Sequence, residues 1–240
     1  MATLILVRHG RTTANAGGVL AGRAPGVRLD EAGEKQARAT AERLAAVPVR
    51  AVVTSPLERC RQTTAAIVAA HPDPLPVTRD AKLTECDYGD WQGRSLKELG
   101  KEPLWKVVQQ QPSAAAFPGG ESLRAMQDRA VAAVRRHDRR VGEEHGDDAV
   151  WVAVSHGDVI KSILADALGT HLDQFQRIVV DPASVSIVRY TDTRPYVLAS
   201  NTHAGDLSWL RPAKRSRRRR PAADAAVGGG AGPGASGTRS

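Results

Sequence analysis

The chain has 240 residues, 41% hydrophobic and 25% charged, the composition of a globular protein with one domain and chain to spare. No run of about 18 apolar residues occurs, so no membrane span is expected. Leu4–Val7 is too short, and lacks the basic flank, to be a signal peptide, so the expected location is cytoplasmic. The net charge of +8 is uneven. Residues 211–240 hold eight basic residues and one acidic, leaving 26 basic against 25 acidic elsewhere. The folded part is therefore near neutral, and its charge gives no sign of a nucleic-acid surface.

In chain order, four consecutive apolar residues make Thr3–Val7 a strand of a parallel sheet covered on both faces. Asp30 can cap a helix over 31–46, with Ala37, Ala41, Leu44 and Ala45 on one face. Ala51–Val53 reads as a second strand, ended by Ser55-Pro56. A helix follows from Leu57 to about Ala70, stopped before Pro72. A third strand is expected near Leu75–Val77. Residues 95–110 are partly helical, and Leu123 to about Glu144 is a long amphipathic helix. Ala149–Val154 is a strand, followed by a helix over Val159–Leu168 with Gly169 as its C-cap. Val185–Tyr190 and Tyr196–Ala199 read as an edge hairpin. Strands alternating with helices imply an α/β fold with a mostly parallel sheet. From about Arg211 the pattern stops. The expected organisation is one domain over 1–205 and a disordered, basic, Ala/Gly-rich tail over 206–240.

In such sheets ligands sit beyond the carboxyl ends of the strands, and the chemically unusual residues follow Val7, Val53 and Val154. Arg8-His9-Gly10-Arg11-Thr12 surrounds a histidine with cationic side chains, which suits a phosphate better than a metal. Gly10 lets backbone approach a ligand, and Asn15 lies within reach. Ser155-His156-Gly157-Asp158 ends a strand and opens a helix, whose N-terminus favours an anion. Arg59 and Arg61 follow Ser55-Pro56-Leu57-Glu58 and point about 100° apart on a helix, so one of them faces the site. A loop from Leu83 to Gly93 offers Glu85, Asp87 and Asp90 as candidate acids, and spacing does not choose among them. Each segment alone also reads as a strand-end turn with solvated charges. Cys60 and Cys86 read as small buried residues. Neither has an arginine six positions later, so a Cys-x5-Arg phosphatase loop is absent.

Arg-His-Gly-x-Thr, Ser-Pro-Leu-x-Arg-x-x-Gln-Thr, Leu-x-Glu-x-x-x-Gly-x-Trp-x-Gly and Ser-His-Gly, in this order, resemble the histidine phosphatase superfamily, which includes the cofactor-dependent phosphoglycerate mutases. The similarity covers roughly residues 3–200. It implies a three-layer α/β sandwich, with a mostly parallel central sheet flanked by helices. It also implies roles. His9 attacks phosphorus and becomes phosphohistidine. Arg8, Arg59 and His156 surround the phosphoryl oxygens. Glu85 is the general acid and then the base. Asn15 and the Gly157 amide are further phosphate contacts. A related branch uses an aspartate directly after the second histidine; Asp158 stands one place further on, so Glu85 is the preferred acid. No metal and no cofactor are expected.

The stretch between Trp91 and Ser155 is short for a mutase, which favours hydrolysis of a phosphomonoester over phosphomutase (isomerase) activity. A non-catalytic phospho-ligand or nucleic-acid binder is the third reading. The specificity cover is placed at 94–122, with Lys97, Lys101, Trp105, Lys106 and Phe117–Glu121. It suits a small phosphorylated metabolite such as a sugar phosphate or phosphoglycerate derivative. The alternative is that Trp105 and Phe117 pack the core while the lysines are solvated. The run 214–220 offers weak, salt-sensitive contact with nucleic acid or an acidic surface, and the hairpin at 185–199 an edge for a homodimer.

Overall fold

In a computed structural model of the chain, which describes residues 1–205, 227, 228 and 230, strand β1 (Thr3–Arg8) lies inside a six-stranded sheet. The other strands are β2 (Val49–Thr54), β3 (Val77–Arg79), β4 (Val150–Ser155), β5 (Val185–Arg189) and β6 (Tyr196–Thr202). Their order is β3-β2-β4-β1-β5-β6. The first four are mutually parallel, β5 runs antiparallel to β1, and β6 antiparallel to β5. The expected mixed α/β sandwich is therefore found. Of the expected edge hairpin, only β6 is at the edge, because β5 pairs with β1.

The reason for the apolar runs is visible in their parity. Leu4 and Leu6 of β1, with Trp151 and Ala153 of β4, enter the larger apolar cluster. Ile5, Val7, Val152 and Val154 enter the cluster on the opposite face. A strand with side chains pointing alternately to two dry faces must be apolar at every position. Among the described residues, seven α-helices surround the sheet: α1 (Thr13–Gly17), α2 (Glu31–Leu44), α3 (Glu58–Ala70), α4 (Leu96–Leu99), α5 (Pro103–Gln110), α6 (Leu123–His145) and α7 (Gly157–Ala167). Asp30 caps α2 as expected, accepting from the Gly33 amide at 2.8 Å. Helix α7 begins two residues before its expected start, at Gly157. That shift places His156 at the N-cap. Among the described residues, no helix is long and apolar enough to cross a membrane.

Sheet order decides where chemistry can occur. The adjacent strands β2, β4 and β1 bring three loops to one level. The Ser55 amide donates to Val154 O at 3.0 Å, and the His9 amide donates to Ser155 O at 3.0 Å.

Candidate active site

His9, which directly follows β1, is only 3% exposed. Its Nδ1 lies 2.8 Å from Gly10 O. A carbonyl only accepts, so Nδ1 carries the proton and Nε2 keeps a lone pair. Arg59 Nε donates towards that lone pair at 3.2 Å. Burial, then the charges of Arg59 and Arg8, hold the His9 pKa well below its ordinary value. The ring is therefore neutral at physiological pH.

His156 is fully buried, and its ring lies 5.3 Å from that of His9. Its Nδ1 receives Arg59 Nη2 at 3.1 Å, and its Nε2 is 2.8 Å from Ser55 Oγ. Burial and then Arg59 also push its pKa well down. Arg59, in the first turn of α3, thus touches both imidazoles. Its Nη2 also donates to Gly22 O at 2.7 Å, while its buried Nη1 has no hydrogen-bond partner among the described residues. A guanidinium donor left in this state beside two neutral histidines is suited to an anion.

The paired arginines of the sequence divide cleanly. Arg8 and Arg59 are buried. Arg11 turns away to Asp30, with Nε at 2.8 Å from Oδ2, and Arg61 is exposed. The helical twist that separates Arg59 from Arg61 is the expected one. Gly10 has a different partner from the expected ligand: a Cβ there would stand 2.4 Å from Gly33 O. It lets the β1 loop press against α2.

Of the three candidate acids in the loop after β3, only Glu85 is buried, at 3% exposure. Asp87 pairs with Arg23 at 3.1 Å and Asp90 is exposed. Glu85 Oε2 lies 4.0 Å from His156 Nδ1, and Oε1 accepts from the Cys86 amide at 3.0 Å. Burial, reinforced by the nearby Asp158 carboxylate, lifts the Glu85 pKa to about 7. The loop is pinned from behind. Ser155 Oγ donates to Leu83 O at 2.8 Å, and Arg23 Nε and Arg129 Nη2 donate to Glu85 O at 2.9 and 3.1 Å. Glu121 joins these arginines, with Oε1 2.8 Å from Arg23 Nη2.

Asn15 lines the cleft with His9, Arg59 and Glu85. Its side-chain oxygen accepts from the Thr12 amide and hydroxyl, at 3.1 and 2.9 Å. That leaves its amide NH2 as the donor to the cleft. Arg8, His156 and Gly157 are not on the cleft wall. Arg8 lies behind it, with Nη1 donating to Val180 O at 2.8 Å and to Gly230 O at 3.0 Å. Asp158 is fully buried and accepts from Tyr88 Oη at 2.7 Å, near Lys161 Nζ at 3.6 Å.

Gly22, Arg23 and Arg129 escape the sequence motifs, and Ser55 and Thr12 appear there with no role assigned. Gly22, Ser55, Arg23 and Arg129 act on the site through residues far along the chain, which leaves no local pattern, while Thr12 bonds locally to Asn15. The cover at 94–122 behaves as the packing alternative described. Trp105 stacks on Trp91 at 6.1 Å, and Phe117 meets Tyr88 and Trp91 edge-on at 5.0 and 5.3 Å. Lys97, Lys101 and Lys106 are exposed and off the cleft wall, to which the cover contributes Leu96. Both cysteines are buried, and burial raises the Cys60 thiol to about 12. Among the described residues no group of three or more His, Cys, Asp or Glu is placed to hold a metal ion.

The family model for the histidine phosphatase superfamily (branch 1) matches residues 4–203. The chain is 30% identical over 214 residues to phosphoserine phosphatase 1 of Hydrogenobacter thermophilus, covering 86% of this chain and 96% of that protein. It is 31% identical over 185 residues to 2,3-bisphosphoglycerate-dependent phosphoglycerate mutase 2 of Gloeobacter violaceus, covering 75% and 82%. Among solved structures, a mycobacterial glucosyl-3-phosphoglycerate phosphatase in complex with VO3 superposes with a TM-score of 0.73 at 26% identity, covering 83% and 98%.

Proposed function

This chain belongs to the histidine phosphatase superfamily, and from that premise we propose that residues 1–205 form a metal-independent, cofactor-free, cytoplasmic phosphatase acting through phosphohistidine. The observation that carries the reading is the state of His9. Its Nδ1–H is fixed on Gly10 O, and its Nε2 lone pair faces Arg59 within a cationic, buried pocket. A nitrogen nucleophile must be unprotonated, and here burial and the arginines keep it so.

The steps follow from that arrangement. A phosphoryl oxygen takes over the Arg59 Nε donor and frees Nε2. Nε2 attacks phosphorus while the bond to the leaving oxygen breaks. Glu85, whose raised pKa of about 7 leaves roughly half of it protonated at neutral pH, gives its proton to that oxygen. The resulting carboxylate then takes a proton from water, which attacks phosphorus and breaks the P–N bond. Phosphate leaves, and Glu85 is again protonated. Arg59 and Asn15 on the cleft wall, with Arg8, His156 and the Gly157 amide behind it, balance the charge that grows on the phosphoryl oxygens. Ser55 orients His156, and Arg23 and Arg129 orient Glu85.

The substrate proposed is a small phosphorylated metabolite, a sugar phosphate or phosphoglycerate derivative. The phosphoserine and glucosyl-3-phosphoglycerate phosphatases among the relatives support that class. The mutase relative keeps phosphomutase activity as a second reading. Pairing of copies along β6, where Tyr196 and Leu198 are exposed, and weak acidic-surface contact through 214–220, which lies outside the described residues, remain part of the proposal.

The test is phosphate release in EDTA from sugar phosphates, 3-phosphoglycerate and an aryl phosphate, with His9→Ala in parallel. Release that survives EDTA and falls by at least about 10³-fold in the variant is the expected result. Labelling of His9 with no release from any substrate would favour the mutase reading. Equal activity in His9→Ala would overturn both.

A further inference from the structure

Three residues near the C-terminus lie inside the cleft just described. Val227, Gly228 and Gly230 form part of its wall, together with His9, Arg59, Glu85 and Leu20. Val227 is only 1% exposed and belongs to the main apolar cluster. The Gly228 amide donates to Asp158 Oδ2 at 2.9 Å. Gly230 O and Gly228 O accept from Arg8 Nη1 and Nη2 at 3.0 and 3.4 Å.

The two carbonyl contacts to Arg8 match what a phosphate oxygen would make. Two carbonyl oxygens carry partial negative charge to the guanidinium assigned to phosphoryl oxygens. The free volume left in the cleft is about 30 Å³. That admits a water molecule or two, not a phosphomonoester. The fit is also specific to glycine. Gly228 has φ +74°, and a Cβ there would stand 2.9 Å from Leu20 Cδ1. A buried valine followed by a glycine in the left-handed region is more than a composition effect of an Ala/Gly-rich stretch.

We infer that Val227, Gly228 and Gly230 act as an internal pseudosubstrate that docks in the phosphoryl cleft and must leave before substrate enters. The inference rests on the phosphoryl reading of the cleft. Its occupant is this chain's own tail, held by an apolar anchor (Val227), a glycine turn and carbonyl contacts to Arg8. Docking and substrate binding are then mutually exclusive, so apparent affinity is reduced by the undocked fraction.

The experiment uses the full chain and two tail variants, Gly228→Val and Val227→Asp. The first adds a side chain against Leu20 in a strained backbone; the second places a carboxylate at a buried apolar position. Inorganic phosphate binding is measured by calorimetry, and kcat/KM on p-nitrophenyl phosphate is measured alongside. Both variants are expected to bind phosphate about 10-fold or more tightly than wild type, with a parallel rise in kcat/KM. Phosphate affinity within twofold of wild type in both variants overturns the docking inference alone. No phosphate binding by any of the three proteins overturns the phosphoryl reading of the cleft, and the inference with it. Thermal melting of each variant shows whether the domain is intact, and the two substitutions fail in different ways if one disturbs folding.

Discussion

The pocket at the strand ends and the neighbouring 94–122 segment are built from different materials. Arg8, Arg59, Glu85 and His156 carry the pocket's polar chemistry, and each is at most 3% exposed. The cover at 94–122 keeps its lysines in solvent and turns Trp105 and Phe117 onto Trp91 and Tyr88. Charge taken out of water is costly unless partners fix it. The pocket meets that condition with a chain of contacts from Gly10 through His9 and Arg59 to His156 and Ser55. The cover is held by ring stacking along its length and by the ion pairs of Glu121 at its end. Chemistry and substrate choice should therefore respond differently to mutation.

The largest effect within this comparison is expected at Glu85. Glu85→Gln should lower kcat/KM on an alkyl phosphate by about 10²–10⁴-fold, and less on an aryl phosphate whose leaving group needs no proton. The pH profile sharpens the assignment. An acid works only while protonated, so wild-type kcat/KM should fall as pH rises through about 7. The variant should lose that limb. The same carboxyl has a folded pKa above its ordinary value of 4.5. Its contribution to stability is present at low pH and is lost as pH rises from about 4.5 through about 7. Glu85→Gln should accordingly melt higher than wild type at pH 8 and no higher at pH 4. An unchanged pH profile would assign the acid elsewhere, with Asp158 the next candidate.

Next come the two arginines of α3. Arg59→Met should cost about 10²–10³-fold in kcat, the cost of one preorganised transition-state donor. Arg61→Ala, two residues away and exposed, should leave kinetics unchanged. Equal losses in steady-state assays would show that field strength, rather than the directed contact with both histidines, is what matters.

The smallest effect is expected in the cover. Trp105→Ala removes a stacked, half-buried ring and should cost about 1–3 kcal/mol in denaturant unfolding. It should shift KM for the best substrate severalfold while the inhibition constant of inorganic phosphate stays put. A large kcat loss in this variant would break the division between pocket and cover.

Much of the pocket was legible because function here is written at strand ends. Four apolar residues in β1 announce a strand buried on both faces, and the residue after Arg8 must then emerge at the carboxyl edge. The same holds for Ser155-His156 after β4. The choice among Glu85, Asp87 and Asp90 could not be made from spacing, because all three sit in one irregular loop. Burial decided it, and burial depends on Leu83, Arg23 and Arg129 tying that loop to β4, the α1–α2 loop and α6. Gly10 illustrates the opposite error: a glycine beside a candidate nucleophile invites a ligand, whereas its close neighbour is the Gly33 backbone.

The sequence by itself determined the α/β alternation, the rough placement of the main elements and the family resemblance, and it put forward His9, Arg8, Arg59 and His156 as candidates, because period, capping and strand-end position are local properties of a chain; β3 lies two residues later than expected. Only the tertiary structure decided which arginine of each pair turns inward, which carboxyl is buried, that β5 lies inside the sheet, and that Val227 and Gly228 reach the cleft. Those outcomes depend on contacts between residues far apart in the chain, such as the 70 positions separating Gly228 from Asp158. Their energies come from desolvation and packing that no local window contains.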